Sequence, residues 1–305
     1  MRPRLLFFAI CWVFPLAAAP LDLALVQYEV RPRDYHDLSR FEQRVDAFVD
    51  SAVEAGADLV VFPEYINVFA MFHQLISEHG QIDLGAVPDA VSTALTGGAA
   101  GTVGTAAEVL PFLRDYSLKE AAAIRALWSS VAQRHQVWIL AGSSFVAGSD
   151  GMLTNQGWLF DPRGRLAYRQ DKVFLTPFER NVLGLSPGRM DAAQVVSVEG
   201  YKIGITICRD SYFDDWEQPF AEVDLWIDVR ANGEPWTPAV RRRFDTALPE
   251  RVAQTAVEHG MSTSLTGEFA GLLWQGPAFV VNEDGRRVRQ SPAPTGDYLL
   301  LVDVP

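Results

Sequence analysis

Leu59-Val60-Val61-Phe62-Pro63-Glu64 is the stretch from which the fold can be read. An unbroken apolar run ends at a proline and a carboxylate. A run this short and this apolar fits a strand buried on both faces. Upstream, Ser39 and Glu42 form an S-x-x-E capping-box pattern, and Phe41, Val45, Phe48, Val49 and Val53 share one helical face. Gly56 is placed to stop that helix. Further back, Leu21 to Val26 is another short apolar run. Strand, amphipathic helix, strand predicts parallel pairing and an α/β fold.

Downstream the rhythm breaks. Residues 65–116 hold Phe69, Met71 and Phe72, then an Ala/Gly/Thr/Val-rich passage from Leu84 to Gly104. This stretch reads as an insertion with some helix near the mouth of a site. Ser117 with Glu120 predicts the next helix start, with Ile124, Leu127, Trp128 and Val131 on its apolar face. Val137 to Ala141 is a strand. Trp158-Leu159-Phe160 and Leu166-Ala167-Tyr168 flank Asp161-Pro162-Arg163-Gly164, a β-hairpin around a turn. Strands follow over Tyr201–Ile207 and Asp224–Val229, then a helix over Arg251–His259 with Pro249 at its first position. The tail carries strands over Pro277–Val281 and Tyr298–Val302, separated by a turn at Asn282-Glu283-Asp284-Gly285. No linker divides the middle, so residues 20–305 are read as one domain.

With 49% hydrophobic and 21% charged residues, a chain of 305 residues can bury a large core. Its net charge of −12 repels phosphate backbones, which excludes nucleic acid as a partner class. At the N-terminus, Arg2 and Arg4 precede an apolar run from Leu5 to Leu16, then Ala17-Ala18-Ala19 and Pro20. That order is a secretory signal peptide over residues 1–19, too short for a membrane span. It predicts export to the periplasm or the medium. The chain has 2 Cys, and Cys11 lies in this leader. The exported protein would keep Cys208 as its one thiol, with no disulfide partner.

Three chemistry-bearing residues follow expected strands: Glu64, Lys172 and Cys208. In open α/β sheets, ligands sit beyond the carboxyl ends of strands. A cysteine thiol is mostly protonated at neutral pH. A nearby ammonium favours the thiolate and stabilises an oxyanion. A glutamate within reach takes the thiol proton and returns it to a leaving amine. Glu179, soon after Lys172, can hold that lysine or contact substrate. The 5 histidines (His36, His73, His79, His135 and His259) do not follow strands in this way. His135 and His259 fall near expected helix ends, where dipole or capping roles are ordinary. Neither metal-ligand spacing nor a phosphate-binding glycine loop occurs. Arg241-Arg242-Arg243 reads as a solvated or salt-bridged helix face.

Phe62-Pro63-Glu64, Lys172 after the Asp161–Gly164 hairpin, and Gly204-x-x-x-Cys208 together resemble the nitrilase superfamily of carbon–nitrogen hydrolases. Ala24-Leu25-Val26-Gln27 is similar to that family's first strand. The resemblance covers most of residues 20–305. It implies a four-layer α-β-β-α sandwich, often paired into homodimers, and no cofactor. It implies attack of Cys208 on an amide or nitrile carbon, with Glu64 as general base, Lys172 as the cation beside the intermediate and Glu179 as a fourth polar residue. The backbone N–H of Arg209 would join the oxyanion hole. After the nucleophile this chain reads Arg209-Asp210, where nitrilases tend to have Trp-Glu. That departure favours amides over nitriles. Aromatic residues of the insertion would shape an apolar acyl pocket, and Arg209 and Arg230 could instead hold a substrate carboxylate. The leading expectation is a small-molecule amidase. Nitrile hydrolysis and N-acyl transfer are alternatives on the same chemistry. A non-catalytic binding protein is the alternative from another class.

Overall fold

The computed structural model describes residues 20–73, 106–269 and 272–305. Residues 1–19, where a signal peptide is expected, and residues 74–105 of the 65–116 stretch lie outside the described residues. The chain opens as read, with β1 (Leu21–Val30), α1 (Leu38–Glu54) and β2 (Leu59–Val61), and β1 pairs parallel with β2. A short helix, α2 (Ile66–Met71), leads on to the long α3 (Ala106–His135). Then come β3 (Trp138–Ala147), β4 (Leu153–Phe160) and β5 (Leu166–Asp171). The β4–β5 hairpin closes as expected: Gly164 N–H donates to Asp161 O, and the Asp161 carboxylate accepts from the N–H groups of Arg163 and Arg165.

After the one-turn α4 (Pro177–Asn181), the chain forms β6 (Val196–Val198), β7 (Tyr201–Ile207) and β8 (Leu225–Val229). Two short helices, α5 (Pro238–Asp245) and α6 (Leu248–Ala253), precede β9 (His259–Ser262) and β10 (Ser264–Phe269). The remaining strands are β11 (Leu272–Trp274), β12 (Phe279–Asn282), β13 (Arg287–Gln290) and β14 (Tyr298–Val304). One sheet runs β11-β10-β1-β2-β3-β4-β5, with β14 also paired to β1. The other runs β13-β12-β9-β8-β7-β6.

Period-2 alternation explains how two sheets stack into four layers. On β1, Leu21, Leu23 and Leu25 face one core, while Ala24, Val26 and Tyr28 face another. The first set meets Ile203, Ile205 and Ile207 of β7 and Leu225 and Ile227 of β8 between the sheets. The second set packs with Phe41, Val45 and Val49 of α1 and Trp128 of α3. A third core puts Trp226 and Phe279 of the second sheet against Leu248 and Val252 of α6. Helices, sheet, sheet, helices is the sandwich the resemblance implied. Burying each Leu or Ile contributes about 1.5–3 kcal/mol. A one-residue slip of β1 would turn that whole set away from its core.

Three local readings need correction. The N-cap of α1 is Asp37, whose carboxylate accepts from Arg40 N–H at 2.8 Å. Ser39 is already inside the first turn, and Glu42 pairs with Arg134 at 2.6 Å instead. Ser117 starts no helix, because α3 begins earlier and its apolar face runs back through Leu113 and Val109. The Ser117 hydroxyl accepts from Ala147 N–H at 2.8 Å and ties the helix to the end of β3. The helix expected over Arg251–His259 is α6, which stops at Ala253, so His259 opens β9 rather than ending a helix.

Candidate active site

Glu64 follows β2, Cys208 follows β7, and both lie beyond carboxyl ends of parallel strands. Lys172 follows β5 directly. The first and third belong to one sheet and the cysteine to the other, so the inter-sheet core sets their separation. A glycine makes the Glu64 position possible. Gly142 on β3 has φ +62°, and a Cβ there would lie 2.0 Å from Pro63 O. Only Gly lets the Pro63-Glu64 backbone come this close. Gly204, four residues before Cys208, has a comparable reason: a Cβ would meet the Phe220 ring at 2.7 Å.

The four buried groups form one hydrogen-bonded cluster. Lys172 Nζ donates to Glu64 Oε1 at 2.7 Å and to Glu179 Oε1 at 2.9 Å. Asn155 Nδ2 donates to the same two oxygens at 2.9 and 3.0 Å. Tyr65 OH donates to Glu179 Oε1 at 2.5 Å. Ala231 N–H donates to Glu64 Oε2 at 3.0 Å, and the Ala231 carbonyl accepts from the Cys208 thiol at 4.0 Å. The local sequence fixes Glu179: with Thr176 it forms a capping box on α4, its Oε2 accepting from Thr176 N–H at 2.8 Å.

These contacts push the two carboxyls apart. Burial is the main force on Glu64, opposed by the Lys172 ammonium, and raises it to about 7. Burial acts on Glu179 too, but Lys172, the Tyr65 hydroxyl and the Thr176 N–H override it and hold Glu179 below its ordinary value. Lys172 loses hydration on burial, yet the two carboxylates hold its proton firmly. Burial and the Glu64 charge drive the Cys208 thiol well up, against Lys172 and Arg230. At rest the sulfur is therefore protonated, beside a carboxyl tuned near neutrality.

The backbone at the sulfur is strained. Cys208 has φ +52°, and Tyr65, next to Glu64, has φ +65°. Left-handed conformations at non-glycine residues cost energy and concentrate at functional sites. Asp210 braces the elbow. Its carboxylate accepts from Ile207 N–H at 3.2 Å and from Val173 and Phe174 N–H at 3.0 and 2.7 Å. One buried side chain thus joins the cysteine turn to the segment just after Lys172. Burial raises Asp210 to about 8, against the pull of these N–H groups and Lys172.

The arginines separate. Arg209 is half-buried, lies over the Phe213 ring at 5.6 Å, and lines a cavity of about 430 Å³ with Cys208. Arg230 is buried; its Nε and Nη2 donate to Asp228 Oδ2 at 3.0 and 2.5 Å, and its guanidinium covers the Phe244 ring. It is engaged by Asp228 instead of facing this cavity. Among the described residues, none of the hydrogen bonds to the cluster comes from a histidine: His73 pairs with Glu120 and His135 with Asp46. No cluster of potential metal ligands occurs among the described residues. Sequence reading missed Asn155, Tyr65 and the Ala231 N–H. Asn155 left one trace, a polar residue at a fully buried position of β4.

The fold is shared with solved amidase structures. A variant of the amidase from Nesterenkonia sp. AN1, solved in complex with butyramide, superposes with a TM-score of 0.65 at 21% identity, covering 94% of this chain and 92% of that one. Another structure of that amidase, with the acetamide moiety of fluoroacetamide added covalently at its active-site cysteine, gives a TM-score of 0.64 at 21% identity over 94% and 91% of the chains. The probable hydrolase YhcX of Bacillus subtilis is 27% identical over 199 residues. That match covers 65% of this chain but only 32% of YhcX, so it spans about a third of that longer protein. Carbon-nitrogen hydrolase is the family matched, over residues 22–301. With nearly the whole chain matched, this protein belongs to the carbon–nitrogen hydrolase family.

Proposed function

We propose that the protein hydrolyses linear, non-peptide amides through a thioester on Cys208. One observation carries the reading: Cys208 and a buried Glu64 meet at Ala231, whose carbonyl accepts from the thiol and whose N–H donates to Glu64, while Lys172 and Asn155 hold the other Glu64 oxygen. Glu64 takes the thiol proton as sulfur attacks the amide carbon. The oxyanion forms beside Lys172 Nζ and the Arg209 N–H. Glu64 then hands the proton to nitrogen, the C–N bond breaks, and ammonia or an amine leaves. Water attacks the thioester with Glu64 again as base; the acid departs and the proton returns to sulfur. The amidase from Nesterenkonia sp. AN1, modified at its own cysteine by an amide reagent, supports this chemistry.

The test is a panel of amides, nitriles and carbamoyl compounds, followed by ammonia release and intact mass. An acyl adduct on the wild type that is absent from Cys208→Ala is expected. An adduct that persists at wild-type level in Cys208→Ala would falsify the assignment. Transfer of the acyl group to an added amine, in place of acid release, would make the protein an N-acyltransferase. We also infer export, which the Arg-apolar-Ala order of residues 1–19 supports. N-terminal sequencing of the exported fraction should begin near Pro20; an intact Met1 there would rule out cleavage.

A further inference from the structure

We propose that the substrates carry an extended, uncharged apolar group, an alkyl chain or an aromatic ring, next to the scissile amide. This rests on the amidase reading above and names the substrate class of the same site. The observation is a second cavity, of about 370 Å³, that shares Thr176, Ala231, Gly233 and Glu234 with the cavity at Cys208. Its inner end is made of catalytic neighbours. Tyr65 donates to Glu179, and Ala231 donates to Glu64 while its carbonyl lies 4.0 Å from Cys208 Sγ. A group bound there is thus continuous with the reacting carbon.

The walls say what that group is. Val68 and Phe69 of α2, Leu113 of α3, Phe145 of β3, and Leu272 and Trp274 of β11 line the cavity. Their shape is set in advance: the Phe69 ring packs against Phe269 at 4.9 Å and Trp274 at 5.3 Å. Among the described residues, Glu234 is the one acidic or basic side chain in this lining; it sits at the shared neck and pairs with Arg243 at 3.0 Å. A charged group carried deep into such a cavity would be desolvated without a partner. The volume equals about a dozen waters. Acetamide would leave most of it as water against apolar walls, which an apolar chain displaces favourably.

Two series separate the sides of the amide: linear primary amides from acetamide to octanamide, and N-alkyl acetamides over the same chain lengths. In one series kcat/KM should rise about fourfold per methylene, equivalent to about 0.8 kcal/mol, until the cavity is full. Val68→Trp and Leu272→Trp, which fill the cavity from different walls, should abolish that rise. A native far-ultraviolet circular dichroism spectrum with a cooperative melting transition reports that each variant folds. Acetamide turnover with a flat or falling profile in both series overturns the proposal and leaves the amidase reading standing. If no amide is turned over and no Cys208 adduct forms, the amidase reading fails instead. Calorimetric titration of Cys208→Ala with hexanamide and acetamide then judges the cavity. Tighter hexanamide binding that Val68→Trp removes supports the cavity's role, and equal binding overturns it.

Discussion

The molecule buries two clusters of charge beside Cys208, and they are built on opposite plans. Asp228 and Arg230 form one acid and one base. Thr206 and Ser211 hydroxyls donate to Asp228 at 3.0 and 3.3 Å, and Arg230 closes on its other contacts. Glu64, Glu179 and Lys172 are two acids sharing one ammonium. Burial raises Asp228 as well, against the pull of Arg230 and of the Thr206 and Ser211 hydroxyls. Burial raises Glu64 to about 7 against Lys172, with the Glu179 charge adding to it, a value suited to the general base proposed above. Burial is equal in both clusters; the second carboxylate is what sets the trio apart.

Substitutions can break that contrast, beginning with the largest effect. Cys208→Ser removes the sulfur that both clusters surround, and turnover should fall more than about 10³-fold with no acyl adduct by mass. Glu64→Gln keeps the size and loses the proton acceptor, so kcat/KM should fall about 10²–10⁴-fold. In the wild type, kcat/KM should decline tenfold per unit below about pH 7, the value to which Glu64 is raised, and this limb should vanish in Glu64→Gln. Stability gives the matching sign. A carboxyl raised from 4.5 to about 7 on folding stabilises the fold below 4.5, and that contribution is lost as pH rises through about 7. Denaturant midpoints of Glu64→Gln should therefore gain on wild type across that window.

Lys172→Met leaves two carboxyls facing each other. Turnover should fall about 10²–10³-fold while far-ultraviolet circular dichroism stays native. Arg230→Met is the converse: the unpaired Asp228 should cost about 3–5 kcal/mol of stability, with a much smaller loss of turnover below the melting point. Adding Asp228→Asn should restore most of that stability. If Arg230→Met matched Lys172→Met in lost turnover with full stability, the proposed division between the clusters would be wrong. The smallest effect is expected of Asp210→Asn, which replaces one accepting oxygen with an NH2 donor facing backbone N–H groups. About tenfold in kcat with KM unchanged is expected, since the brace shifts the sulfur against Lys172 without touching substrate.

Much of this was legible in the chain itself. Strand periodicity ends at Glu64 and Cys208, and a hairpin ends at Lys172, because reactive groups at strand ends interrupt apolar runs. Partners on other segments leave weaker marks. Asn155 lies within β4, and only the fold shows that it reaches both Glu64 and Glu179. Ala231 contributes a backbone N–H, which no side-chain pattern encodes. Ser39 with Glu42 and Ser117 with Glu120 match a cap pattern locally. Asp37 outcompetes the first, and the early start of α3 removes the second. Arg230 is identical in sequence terms to a substrate-binding arginine; Asp228, two residues before it at the end of β8, holds its guanidinium instead.

One pairing has a consequence for how the chain is made. β1 lies between β2 and, on its other edge, β14 and β10, and Leu21 is in register with Val304. The Gln27 side chain donates to backbone carbonyls 268 and 269 positions later. The first strand therefore stays half-unpaired until the last one has been synthesised. Folding is a late, long-range closure, slow by the measure of contact separation. A nascent chain cut before Tyr298 would carry an open, aggregation-prone edge at β1.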